Sequence, residues 1–134
     1  MEYLESQPIV KMQDLFKDQL NEIDSLDFNL LKAKLQDVNE GEGWTLQKCN
    51  EVETLYKRFL KLILIYPEER LVPTKLIDTF WHYHILDTRH YLTSTENIFG
   101  QYIHHYPYLG LFGEGEMLKL KVLFNRTKYF YRLV

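Results

Sequence analysis

Five histidines stand within one 24-residue stretch, His82 to His105, and the other 110 of the chain's 134 residues contain none. The stretch opens Asp78-Thr79-Phe80-Trp81-His82-Tyr83-His84-Ile85-Leu86-Asp87 and closes on His104-His105-Tyr106-Pro107. Imidazole is the commonest metal ligand and titrates near neutrality, so this is where the chain's chemistry would lie. On a helix, residues three or four apart share a face and residues two apart point to opposite sides. Asp78 and His82 can therefore converge, as can His84 and Asp87. His82 and His84 would reach one ion only if the helix broke near Asp87. The best local pair is Asp78 with His82, with His104 or His105 supplying a third ligand from the segment before Pro107. Two imidazoles and a carboxylate with open positions suit Zn²⁺ or non-haem Fe²⁺. The competing reading is an aromatic core among Phe80, Trp81, Tyr91, Phe99 and Tyr106, where the imidazoles bond to Asp78, Asp87 or backbone carbonyls. His90 follows Arg89 on a face expected to be solvated and has the weakest claim as a ligand.

Other chemistry is poorly provided for. There is no Ser-His-Asp or Cys-His arrangement and no glycine-rich phosphate loop after a strand. Cys49, the one cysteine, lies in a polar helical stretch far from the histidines and is expected to be structural. Metal-bound water could still hydrolyse a substrate if a site were open. Glu96, Glu114 and Glu116 are the carboxylates that could serve it as bases, and nothing places them there. The expectation is a chain that is not an enzyme on its own.

The compartment is read from the same composition. One cysteine permits no internal disulfide and suits a reducing interior. The N-terminus is acidic and lacks the apolar core of a secretory signal. The longest apolar run, Leu62 to Tyr66, is too short for a membrane span. A cytoplasmic protein is expected. Its net charge of −3 gives no general reason to seek nucleic acid or an anionic membrane. The charge is uneven: residues 1–43 hold ten acids and four bases, whereas five bases and no acid follow Glu116.

The elements that must position these residues read as helices. With 46% hydrophobic and 15% aromatic residues, the chain is long enough to bury a core as one domain. Residues 9–23 place Val10, Leu15, Phe16, Leu20 and Ile23 at helical spacing. Asp27 would cap a second helix from Phe28 to about Val38, with Leu30, Leu31 and Leu35 on one side. Thr45 would cap the longest helix, to about Tyr66, whose second half is apolar nearly all round and should be central. Pro73 fits the first turn of the next helix, which carries Phe80, Trp81 and His84. Asp87-Thr88 suggests a restart, with the following helix ending at Gly100. Glu114 to about Tyr131 closes the chain as a helix, or as an extended tail at its aromatic end. No stretch alternates like a strand, so the fold class is all-α, a compact bundle of five or six helices in a single domain spanning 1–134. Within it an acidic head (1–40) and a basic aromatic C-terminal helix or tail (117–134) flank a middle section.

That middle section, about residues 41–116, resembles the short bacterial forms of the glycine-rich domain-containing protein-like family. The likeness rests on Asp78-x-x-Trp81-His82-x-His84-x-Leu86-Asp87-x-x-x-Tyr91, Phe99-Gly100 and His104-His105-x-Pro107. Gly43-Trp44-Thr45, Tyr56-Lys57-Arg58-Phe59-Leu60, Tyr66-Pro67, Leu71-Val72-Pro73-Thr74 and Pro107-Tyr108-x-Gly110 extend it. The resemblance implies metal binding at His82, His84 and His105. The chain departs from the pattern at Ser94-Thr95, where the family has Asp-Cys, so a cysteine ligand is missing. Small members of this kind also look like accessory partners of radical-SAM peptide spliceases. That likeness implies a chain that assists a larger peptide-modifying enzyme, by binding the precursor peptide or stabilising the catalytic subunit, and keeps its histidine cluster as a metal site or a remnant of one.

Two segments suit a partner surface. One is the loop Tyr106-Pro107-Tyr108-Leu109-Gly110-Leu111-Phe112, and the other the tail Lys128-Tyr129-Phe130-Tyr131-Arg132. Exposed Tyr, Phe and Arg are typical interface anchors. The tail's mix of bases and aromatics would also fit single-stranded nucleic acid, which ranks last on an acidic protein.

Overall fold

The computed structural model describes residues 14–108 and 114–133, with side chains in the second span described at 121–130 and 132. These residues form six helices and, among themselves, no strand: α1 Lys17–Asp24, α2 Asn29–Gln36, α3 Leu46–Ile65, α4 Lys75–Leu86, α5 Thr88–Phe99 and α6 Glu114–Leu133. The fold is all-α and packs as a single domain. No helix among the described residues is long and apolar enough to cross a membrane.

Helix boundaries follow local chemistry. Thr45 caps α3 by accepting from Lys48 N at 3.1 Å, and Thr74 caps α4 by accepting from Ile77 N at 3.3 Å. Pro73 therefore precedes the cap rather than sitting in the first turn. Asp27 accepts from Asn29 N at 2.9 Å at the start of α2. That helix stops at Gln36, short of Val38, because Asp37 turns extended and its carboxylate takes Asn39 N and Glu40 N. Gly41 then closes over the helix end, where a Cβ would stand 1.7 Å from Lys34 O. The restart at Asp87 is real: α4 ends at Leu86 and α5 begins at Thr88, although the Asp87 side chain makes no cap bond. Gly100 ends α5 at φ 71°, the left-handed region that suits glycine. The aromatic end of α6 is helical rather than extended.

The centre is α3, which packs against α1, α2, α4 and α6. Its Tyr56, Phe59, Leu60 and Leu62 are almost wholly buried. Phe28 enters from the α1–α2 turn and sets its ring against Tyr56, Phe80, His84 and His90 at 4.9–5.8 Å. Two expectations fail on facing. Leu15 and Leu30 are exposed, at 76% and 85%, while Ile23, Leu31 and Leu35 turn inward. On short helices a residue one step from the buried pair lies about 100° off the core face. Val10 lies outside the described residues.

Lys57 ties the layers together. Its ammonium donates to Asp24 O and Leu26 O at 3.0 and 3.1 Å and pairs with Glu53, which also holds Lys32. Burial works against the Glu53 charge, but the hydrogen bonds from Lys32 and Lys57 outweigh it and hold the carboxyl below its ordinary range. At the other end Phe130 of α6 lies 4.5 Å from the Tyr66 ring, and Thr127 Oγ1 accepts from Val72 N at 2.7 Å.

Phe28→Ala should cost about 3–5 kcal/mol, since four rings lose their common neighbour. Leu30→Ala, on the solvent face, should change stability by less than about 0.5 kcal/mol. Urea denaturation of the two variants compares them.

Candidate functional site

Helix α4 sends its two histidines to opposite faces, as their spacing requires. His84 points inward and is 1% exposed; His82 is exposed. The structure therefore divides the candidate ligands into an outer and an inner group.

The outer group gathers around Asp78. His105 donates from Nε2 to Asp78 Oδ1, and its ring stands edge-on to Trp81 at 4.5 Å. Asp78, His82 and His105 line one recess together with Glu42, Thr79, Tyr83 and Pro107. His105 reaches this place because the segment after α5 is pinned from below. Trp81 Nε1 donates to Tyr91 Oη at 3.0 Å, and Tyr91 Oη donates to the Ile103 carbonyl. Burial is the main reason that the Tyr91 phenol is pushed up to about 12. His104, the neighbour, turns outward against Tyr102 at 4.8 Å.

The inner group is a buried polar chain. Tyr56 Oη lies 2.7 Å from His84 Nδ1, His84 Nε2 lies 2.8 Å from His90 Nδ1, and His90 Nε2 lies 3.1 Å from the Asp27 carbonyl. A carbonyl only accepts, so His90 Nε2 carries a proton. With both rings neutral, His84 Nε2 then donates to His90 and Tyr56 donates to His84. Burial, with His90 beside it, lowers the His84 pKa to about 3, and burial drives the Tyr56 phenol well above its ordinary value.

This arrangement separates the set that the resemblance implies, whereas Asp78, His82 and His105, the set suggested by spacing, line one recess. His82, His84 and His105 do not meet, and both nitrogens of His84 are engaged within the core. The donors present do not fit a three-histidine centre. Among the described residues no group of three or more His, Cys, Asp or Glu side chains is placed to hold a metal ion. His90, expected on a solvated face, is half-buried as the middle link of the inner chain. Ser94 and Thr95, at the positions of the missing Asp-Cys pair, are buried hydroxyls bonded to the α5 backbone; Ser94 Oγ also lies 3.3 Å from His90 Nδ1. Cys49 is fully buried, and burial raises its thiol pKa, as a structural role requires.

Beside the outer group runs a cleft of about 650 Å³. One wall is the end of α3 with the turn to α4, including Tyr66, Leu71 and Val72; the other is the segment Gln101 to Pro107. Phe59, Ile63 and Trp81 form an apolar floor. The segment has neither helical nor strand conformation through residues 102–106. Among the described residues, its backbone takes part in one hydrogen bond, that from Tyr91 to Ile103 O. Sequence reasoning missed this cleft, because its two walls lie some thirty residues apart and nothing local links them.

The expected partner residues divide too. Tyr106 and Tyr108 are 62% and 55% exposed, with rings 5.6 Å apart, and Tyr106 lines the cleft. Phe112 lies outside the described residues. On α6, Lys128, Tyr129 and Arg132 are exposed, with Lys128 over the Phe124 ring. Phe130 is a correction: it is buried against Tyr66 and completes the core. The side chain of Tyr131 lies outside the described ones.

A family model described as UCP032817-like matches residues 18–117, a span that includes both histidine groups and the whole cleft. No curated protein and no solved structure matches the chain.

The inner chain predicts a pH dependence. The folded His84 resists protonation down to about 3, while the unfolded residue titrates near 6.5. The unfolded state therefore binds the extra proton between these values. Stability should be full above pH 6.5 and fall as pH drops through that window, by up to about 1.4 kcal/mol per pH unit. Denaturation across pH should show this slope, and His84→Leu should lose it whatever its own cost in stability.

Proposed function

The chain belongs to the UCP032817-like family, and on that premise we propose that it is a non-catalytic accessory protein that holds a segment of a precursor peptide for a larger, radical-SAM-type peptide-modifying enzyme. One observation carries the reading: a cleft with an apolar floor has as one wall a segment outside any helix, whose backbone, among the described residues, takes part in one hydrogen bond. Such a wall can pair with an added peptide strand while pockets on the floor accept alternate side chains. Tyr106, which lines the cleft, and Tyr108 against it provide rigid aromatic contact area. The sequence likeness to the small splicease partners supports the choice of enzyme class. The reducing compartment expected from a single cysteine suits it as well.

His105 and Asp78 serve this function as positioning groups. Their contact, with Trp81 beneath, holds the far wall at a fixed distance from the floor. The shared recess of Asp78, His82 and His105 favours a second reading, a Zn²⁺ or non-haem Fe²⁺ protein. Those three are the donors that the spacing suggested.

Co-expression with the modifying enzyme and precursor peptide from its own gene neighbourhood should yield a stable complex. Tyr106→Ala combined with Leu71→Asp should weaken it at least about tenfold, equivalent to about 1.4 kcal/mol. Turnover of the peptide by the chain alone would overturn the accessory role. About one equivalent of zinc or iron, lost in both His82→Ala and His105→Ala, would install the metalloprotein reading instead.

A further inference from the structure

The charges of the cleft are unevenly neutralised. Glu69 is held by Arg126 through bonds of 2.7 and 2.9 Å, and Asp78 accepts from His105. Both acids are thus engaged. Arg70 and Lys75 line the same cleft, are exposed, and have no ion pair among the described residues. An occupant would meet two unmatched cations on the wall nearest the start of α4, above an apolar floor.

We propose that the cleft selects acidic peptide segments: extended stretches in which aspartate or glutamate alternates with apolar or aromatic residues. The carboxylates meet Arg70 and Lys75, the apolar side chains enter the floor beside Phe59, Leu71 and Trp81, and the peptide backbone pairs with Gln101 to Pro107. Alternation follows from strand geometry, in which successive side chains leave on opposite sides. Charge supplies specificity here more than raw affinity: a lysine-rich segment would set like charges against Arg70 and Lys75. The inference rests on the peptide-docking reading above and adds which peptides dock.

The test is selection of phage-displayed random dodecapeptides on the full chain and on the double variant R70E/K75E. Both replaced side chains are exposed and unpaired, so the variant should melt close to wild type. Wild-type binders should be enriched in Asp and Glu beside Leu, Ile and Tyr. The variant should instead select Lys and Arg. A synthetic consensus peptide should lose at least about tenfold in affinity on the variant, and as much when its acids become glutamine. Its binding should slow amide exchange at Tyr102 to Tyr106. Binders that protect these amides without acidic bias, and bind the double variant equally well, would overturn the charge assignment and leave peptide docking standing. Failure to select any binder that protects them would overturn both.

Discussion

The hydroxyl of the buried Tyr91 finds two partners. It accepts from Trp81 on α4 and donates to the Ile103 carbonyl beyond α5. The segment after Gly100 has no helix of its own to hold it, so this pair of bonds fixes where it runs. His105 can reach Asp78 only because Ile103, two residues earlier, is fastened there. The cleft wall from Gln101 to Pro107 and the outer histidine recess both depend on this joint. Apolar packing alone would leave the segment free to slide, since such contacts have no direction; a hydrogen bond to one carbonyl sets its register.

The inner chain does comparable work on the other face of α4. Tyr56, His84, His90 and the Asp27 carbonyl connect α3, α4, α5 and the α1–α2 turn in one line of donors and acceptors. Every group in it is satisfied, which is the condition for a polar network to be tolerated in a core. Phe28 packs across the line and shields it. A pair of imidazoles that looks like chemistry in the sequence is thus a way of closing four elements around an aromatic core. The outer face instead carries exposed aromatics and, among the described residues, the unpaired cations Arg70 and Lys75.

Much of the architecture was legible residue by residue. Thr45 and the apolar residues Phe59, Leu60, Leu62, Ile63 and Leu64 marked α3 as a central helix, and Asp87-Thr88 marked the break between α4 and α5. Gly100 marked the end of α5. Capping and periodicity act within a few residues, so one sequence suffices to show them. The facing of short helices was less secure: Leu30 satisfies the apolar count of α2 yet points to solvent. A helix of eight residues has too few turns for periodicity to choose between adjacent leucines.

By itself the sequence determined the all-α class, the element order and the rule that His82 and His84 cannot share a face. It also singled out Asp78 with His82, four residues apart on one helix face, with His104 or His105 to join them from the segment before Pro107. The tertiary structure alone decided that His84 pairs with Tyr56 and His90, that Phe130 belongs to the core, and that a cleft opens between the α3–α4 turn and the segment after α5. The physical reason is range. Helix spacing and capping are set by neighbours along the chain. A buried hydrogen bond between residues 28 positions apart, or a cleft between two distant segments, exists only once packing has brought them together.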